Sequence, residues 1–312
     1  MQTSTIRLIG IDVDGTLVGT GGFIHPSVWE AAKRACERGI HLALCSGRPA
    51  FGLALEYARR LEAGGWHIFQ NGASIVNLAA ARSPPLGVPS LTARSLVARS
   101  PPLGIPSPPL GVPSLTARSL VARSRSVPIP IPWVKTVIEQ ARQKHETLEL
   151  YSDTTYVVES TSDWAREHAD LLGVAFEPRP FESLTQPIVR AQWLLSRKLA
   201  KEFTATPHPG LEVAQSTSPL MPDTQFVGLT HEGVTKGSAM RSIAEEYGVA
   251  LQDVMYVGDA GNDLSALRIV GHPIAMGNAD PAVIEAAKHT VDHVDRGGLA
   301  QALEMAINLS ED

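Results

Sequence analysis

Short apolar runs that break into carboxylates, glycine or small polar residues recur along this chain and predict buried parallel strands. Leu8-Ile9-Gly10-Ile11 ends in Asp12-Val13-Asp14-Gly15-Thr16, and Val254-Met255-Tyr256-Val257 ends in Gly258-Asp259-Ala260-Gly261-Asn262-Asp263. After the first run, Pro26-Ser27-Val28 opens a helix whose inner face is spaced by Val28, Ala31, Ala32 and Ala35, and Gly39 stops it. Ile40–Cys45 reads as a second strand, ending in Ser46-Gly47-Arg48-Pro49. A helix over roughly 50–62 then leads to Trp66-His67-Ile68-Phe69 and the polar turn Gln70-Asn71-Gly72-Ala73. The C-terminal third resumes the alternation, with helices from Lys236 to Tyr247, from about Asn262, near 281–288 and over Leu299–Ile307, and strands at 254–257 and 273–276. The pattern predicts an α/β fold: both ends of the chain build one doubly wound, Rossmann-like parallel sheet, with the middle inserted into it.

The middle holds two kinds of sequence. Residues 127–228 show a second α/β pattern: helices near 133–144, 163–172 and 197–204, and strands at 148–151, 156–159, 191–195 and 211–214, with antiparallel pairing. Residues 82–126 are different. Ser83–Ser100 recurs letter for letter as Ser107–Ser124, and nine of the chain's 23 prolines lie in the segment. Its six arginines (Arg82, Arg94, Arg99, Arg118, Arg123, Arg125) meet no acidic residue within it. An identical repeat points to an in-frame duplication, and Pro-Pro-Leu-Gly prevents continuity between single helical turns at Leu91–Arg99 and Leu115–Arg123. The segment reads as a mobile loop. Closing so long a loop instead of a tight turn costs only ~2 kcal/mol more. The predicted division is therefore a core in two parts, 1–81 and 229–312, a repeat insertion at 82–126, and an inserted unit at 127–228.

Composition changes this picture little. At 312 residues, two domains are the natural expectation, and a net charge of −5 does not mark a nucleic-acid binder. The two cysteines, Cys36 and Cys45, lack metal spacing, which points to a reducing compartment. A strand within eight residues of the start leaves no room for a signal peptide, and no run approaches the ~20 apolar residues of a membrane span. The expectation is a cytoplasmic protein.

The chemistry lies in the acids. In open α/β sheets the site lies at the carboxyl edge of the strands. If the first strand and the one at 254–257 are neighbours, Asp12, Asp14, Asp259 and Asp263 share a small volume. Two unit charges 4 Å apart repel by ~4 kcal/mol at the effective dielectric of a partly buried site. Such a cluster calls for a cation, and oxygen-only ligands suit a hard ion such as Mg²⁺. A calcium loop of the EF-hand kind is excluded, because its fifth and sixth positions would be Thr16 and Leu17. His289 and His293 lack the helix and glutamate of a zinc site and read as a strand end.

Taken in order, D-V-D-G-T at 12–16, S-G-R-P at 46–49, N-G-A at 71–73, G-V-T-K-G at 233–237 and G-D-A-G-N-D at 258–263 resemble the motifs of the haloacid dehalogenase superfamily. They look like its Cof-like branch, which carries a large inserted α/β cap, and the likeness runs over about 1–81 and 127–312. The resemblance implies a Mg²⁺-dependent phosphatase. Asp12 would be the nucleophile and form an aspartyl-phosphate. Asp14 would protonate the leaving alcohol and then deprotonate water, its pKa raised by nearby negative charge. The metal would be held by Asp12, the Asp14 backbone carbonyl and Asp259, with Asp263 in support. Val13 (through its backbone), Ser46, Gly47 and Asn262 would hold phosphate oxygens, and Lys236 would neutralise the phosphoryl group. Arg48 and Asn71 stay open between substrate contact and local structure. The implied partner is a small phosphorylated metabolite, a sugar or cofactor phosphate. A phosphomutase is the first alternative, and the motifs do not separate the two. An anion-binding scaffold using the arginine-rich loop is the second, and the absence of aromatics between those arginines argues against nucleic acid. Neither the particular substrate nor the oligomeric state follows from the sequence.

Overall fold

A computed structural model describes residues 5–80 and 124–310. The first stretch forms β1 (Leu8–Ile11), α1 (Pro26–Glu37), β2 (His41–Leu44), α2 (Leu53–Glu62), β3 (Trp66–Phe69) and β4 (Ser74–Asn77). The middle forms β5 (Ser124–Ser126), α3 (Ile131–Lys144), β6 (Thr147–Tyr151), β7 (Tyr156–Val158), α4 (Asp163–Leu172), β8 (Arg190–Leu195), α5 (Arg197–Thr204), β9 (Leu211–Ser218) and β10 (Met221–His231). The chain ends in α6 (Lys236–Tyr247), β11 (Val254–Gly258), α7 (Leu264–Leu267), β12 (His272–Ala275), α8 (Pro281–Ala286), β13 (His289–Thr290) and α9 (Gly298–Leu309).

The parallel sheet has the order β13-β12-β11-β1-β2, so the two ends of the chain meet at its centre. Ile11 stands level with Val257 on one side and Leu44 on the other. Alternate residues of β1 face opposite layers. Ile9 and Ile11 pack with Val28, Ala31 and Ala35 of α1 and with Leu299, Ala302 and Leu303 of α9. Leu8 packs with Met240 and Ile243 of α6 and Leu267 of α7. Gly10 allows α6 to sit close, since a Cβ there would lie 2.3 Å from the Met240 methyl. Full burial of each such Leu, Ile or Val contributes about 1.5–3 kcal/mol, which fixes the strand register and hence the level of the residues at its end.

Two expectations are corrected. The run Trp66–Phe69 does not continue the parallel ladder as a full strand. It joins β2 by a single bridge, Cys45 to Ile68, and pairs antiparallel with β4. Gln70 and Asn71 both take a left-handed φ of 56°, and Gly72 a φ of 105°, which turns the chain back at once instead of into a crossover helix. The last three residues of the repeat segment, Ser124–Ser126, are a strand on β4, and Arg125 pairs with Glu246. The rest of the loop prediction for 82–126, including both helical turns, lies outside the described residues.

The inserted unit is an antiparallel sheet of order β7-β6-β8-β10-β9. One face packs Leu148, Leu150, Trp193 and Val227 against Val137 and Ala141 of α3 and Ala200 of α5. β10 runs through residues 228 and 229, so one strand leads from this sheet back towards α6. Among the described residues, no helix is long and apolar enough to cross a membrane.

Candidate active site

The site forms where β1, β2 and β11 end. Asp12 extends β1 by one hydrogen bond, its amide donating to Val257 O at 3.1 Å. The chain then reverses, with Leu17 and Val18 amides both donating to Val13 O. Gly15 makes this turn at φ +87°, and a Cβ there would lie 2.1 Å from Asp259 Oδ2. Only glycine brings the two loops this close. Thr16 Oγ1 donates to Asp259 Oδ1 at 2.9 Å, which ties the first loop to the end of β11.

Asp12, Asp259 and Asp263 are buried and each offers an oxygen within 4.8 Å of the others. Lys236, the first residue of α6, donates to Asp12 Oδ1 at 2.5 Å and to Asp263 Oδ1 at 2.7 Å. A cation at a helix start opposes the helix dipole, and these two carboxylates compensate for it. Asp263 is saturated: the Tyr256 hydroxyl shares its Oδ1, and the Asp259 and Ala260 amides donate to its Oδ2. It therefore positions Lys236 and the 258–263 loop, and its oxygens have little left for a metal. Burial, then repulsion from Asp263, pushes Asp12 up to about 7 against the pull of Lys236. Burial, then Asp12 and Asp263, pushes Asp259 well above the carboxylate range. One lysine thus leaves the cluster short of positive charge. An all-oxygen donor set with excess negative charge, held tight by Gly15, fits a hard divalent cation.

Asp14 is not part of this cluster, and its expected upward shift is reversed. Its carboxylate faces Arg48, which donates from Nε at 2.8 Å and from Nη2 at 2.6 Å, and Ser218 Oγ adds a bond of 3.1 Å. Burial raises the Asp14 pKa, but the Arg48 charge and hydrogen bonds outweigh it and leave it lowered. Arg48 Nη1 also donates to Leu171 O of α4, so one guanidinium joins the sheet edge to the inserted unit. This settles Arg48 as the partner of Asp14.

The remaining predicted groups ring the same edge. Ser46 Oγ accepts from the Arg48 amide at 2.9 Å, and Ser46 O accepts from the Asn71 amide. Asn262 Nδ2 donates to Asn71 Oδ1 at 3.1 Å, while Asn262 Oδ1 is buried without a partner. A Cβ on Gly47 would lie 3.1 Å from Asn71 Oδ1. Two volumes open here. A small one of about 30 Å³ is lined by Asp12, Asp14, Gly47, Arg48 and Asn262 together with His168, Arg190 and Gln192 of the inserted unit. A cleft of about 320 Å³, lined by Lys236, Asn71, Asn262 and β9 residues Val213–Thr217, adjoins it through Ser216, Thr217, Ala260 and Asn262.

Sequence reasoning missed His168, Arg190 and Gln192, which the inserted unit brings to the small volume, and the buried polar residues bonded to them. Glu149, Tyr151, Arg190 and Gln192 are all buried and lie on neighbouring strands, with Glu149 opposite Gln192 and Tyr151 opposite Arg190. The signal was available: Thr147, Glu149 and Tyr151 alternate with Leu148 and Leu150, and Arg190 and Gln192 alternate with Ala191 and Trp193. Alternation shows a polar face but does not say whether that face meets solvent or another buried surface.

The chain matches the pattern of the haloacid dehalogenase-like hydrolases over residues 9–82 and 126–303. Bacillus subtilis YxeH, which carries a phosphatase name, is 26% identical over 305 residues, covering 95% of this chain and 97% of its own. A solved haloacid dehalogenase-like hydrolase from Bacteroides thetaiotaomicron superposes with a TM-score of 0.72 at 25% identity, covering 96% of this chain and 99% of its own. A subclass IIB sugar phosphatase superposes with a TM-score of 0.73 at 21% identity, covering 97% and 99%, a likeness of fold.

Proposed function

The chain belongs to the haloacid dehalogenase-like hydrolases, in their Cof-like branch, as a phosphoric monoester hydrolase, and on that premise we propose its chemistry and substrate class. It removes phosphate from a small phosphorylated metabolite, a sugar or cofactor phosphate, through an aspartyl-phosphate at Asp12. The observation that carries this reading is the single buried carboxylate at the end of β1, held by Lys236 and facing the same small volume as Asp14.

In the first half-reaction an Asp12 carboxylate oxygen attacks phosphorus, and the leaving alkoxide takes a proton from Asp14. In the second, Asp14 takes a proton from water, the oxygen of that water attacks phosphorus, and Asp12 leaves. Arg48 favours the ionised Asp14 that the second half needs. An incoming phosphoryl dianion competes for that guanidinium, which lets Asp14 take up the proton needed for the first half. Lys236 holds Asp12 in place and offsets charge on the phosphoryl oxygens, while Ser46, the Gly47 amide, the Val13 backbone and Asn262 orient them. Asp12, Asp259 and the Asp14 backbone carbonyl would hold Mg²⁺, whose charge would offset that of the carboxylates and the substrate.

The test is phosphate release from an aryl phosphate and from a panel of phosphorylated metabolites, after chelation and after Mg²⁺ is restored. Activity is expected only with the metal, and Asp12→Asn should abolish it. Melting measured alongside should show Mg²⁺ raising Tm in the native protein and not in Asp259→Asn. Full turnover in the chelated sample, or a phosphoryl adduct mapped to a residue other than Asp12, overturns the reading.

A further inference from the structure

Arg190 is the charged residue of the inserted sheet whose donors the fold leaves unpaired, and Trp193 Nε1, three residues on along the same strand, is the other unpaired donor there among the described residues. Arg190 is 2% exposed, yet its Nε and Nη2 are both buried and have no hydrogen-bond partner. Its other groups are accounted for. Nη1 donates to Gln192 Oε1, and the guanidinium stacks over the Tyr151 ring with Cζ 4.2 Å from the centroid. The nearest acid of the network, Glu149, is already taken up by the Tyr151 hydroxyl, by His168 Nδ1 at 2.9 Å and by Gln192 Nε2 at 3.3 Å. Arg190 therefore meets Glu149 through Gln192 and through Tyr151, and the Nε and Nη2 edge of its fork stays unpaired.

That edge is the one that grips a carboxylate. Nε and Nη2 lie side by side and donate in parallel to two oxygens. The same protein shows the pairing complete at Arg48, where Nε and Nη2 hold the two oxygens of Asp14. Arg190 and Arg48 line the same small volume as Asp12 and Asp14, one from each side. Leaving buried donors unmade is expensive, and a purely structural arginine has its fork filled.

We infer that Arg190 selects the substrate: it receives a carboxylate on the alcohol part of the phosphate ester, so that the preferred substrates are phosphorylated hydroxy or sugar acids. The inference rests on the phosphatase reading above and adds the class of leaving group. A monoanion suits the site better than a second phosphoryl dianion, because one guanidinium faces it and both Glu149 and Asp14 stand near.

The experiment compares esters that differ only in that group. 3-Phosphoglycerate is paired with glycerol 3-phosphate, and 6-phosphogluconate with glucitol 6-phosphate, so that two separations between phosphate and carboxylate are sampled. For at least one pair the native protein should favour the acid in kcat/KM by about 10- to 100-fold, the range for a buried charge-assisted pair. In Arg190→Gln that ratio should fall to near one. Because both esters are read on the same sample, a smaller folded fraction leaves the ratio unchanged. Calorimetric binding of the same pairs to Asp12→Asn reads the preference without turnover, so a failure of the hydrolase reading and a failure of the Arg190 assignment give different results. Equal handling of acid and neutral ester in both pairs overturns the inference. So does a ratio that survives Arg190→Gln, or a stronger preference for glucose 1,6-bisphosphate over glucose 6-phosphate than for either acid.

Discussion

Replacing Lys236 with methionine tests how charge is balanced in the site. Lys236 Nζ lies 2.5 Å from Asp12 and 2.7 Å from Asp263, with its side chain fully buried. Methionine keeps much of the stem and removes the charge. Below pH 7 the Asp12 carboxyl, pushed up to about 7, is protonated in the native protein as well as in the variant. There the variant loses mainly the charged bond to Asp263, worth about 1.5–3 kcal/mol. Asp263 keeps the Tyr256 hydroxyl and two backbone amides, which holds the loss near the lower value. Above pH 7 Asp12 ionises in the native protein, where Lys236 receives it, and stays protonated in the variant. The unfolded chain has Asp12 ionised throughout this range in both proteins. The folded variant thus binds one proton more than its unfolded form, while the folded native protein no longer does. The stability difference should therefore be flat from pH 5 to 7 and grow by up to about 1.4 kcal/mol per pH unit above 7. At pH 8 it should reach about 3 kcal/mol, the lower end for breaking a buried ion pair. Urea unfolding of chelator-treated protein, followed by tryptophan fluorescence, reads the difference. A loss under ~1 kcal/mol at pH 8 would refute the pairing. A difference that stays large and flat from pH 5 to 9 would refute the raised Asp12.

Gly15→Ala must move either its own loop or Asp259, since the added carbon would lie 2.1 Å from Asp259 Oδ2 at φ +87°. A fall in turnover of ~10²-fold with about 1–3 kcal/mol lost from unfolding is expected, and near-native kinetics would show that the two loops are not held against each other. Arg48→Met leaves a half-buried Asp14 without its partner, and at pH 7 should lower stability by about 3 kcal/mol, the lower end for breaking a buried ion pair. Because the Asp14 pKa is depressed in the fold, its contribution is present above the unfolded value near 3.9 and fades as pH falls. The penalty should shrink below pH 4, and urea curves that show the same loss at pH 3.5 and pH 7 would contradict the pairing.

Strand ends and the groups on them were legible because the signal is local. An apolar run that breaks at Asp12 or Asp259 says where a strand stops, and parallel register then brings the stops to one edge. Hence Asp12, Asp14, Asp259 and Asp263 were expected at one edge from the strand ends, and Lys236 from the family resemblance; three of the four acids and the lysine do cluster, and Asp14 turns away. The charge state of Asp14 was not legible, since it depends on which of two neighbours, the acid cluster or Arg48, its side chain turns towards. That choice is made by Ser218 and Leu171 O, which come from the inserted unit more than a hundred residues away. The hairpin after Phe69 was missed for a different reason. Gln70 and Asn71 are ordinary polar residues at a strand end, and only their left-handed backbone, with Gly72 behind them, reverses the chain.

The contacts at Asp14 tie its chemistry to the position of the inserted sheet. Two of the groups that stabilise its ionised form, Ser218 and the Arg48 guanidinium as fixed by Leu171 O, hold their places only while that sheet lies on the strand edge. A gap of about 30 Å³ separates Asp12 from Arg190 beneath that sheet, and the cleft of about 320 Å³ adjoins it. Any displacement of that sheet takes Ser218 away from Asp14 and so raises the proton affinity of its carboxylate.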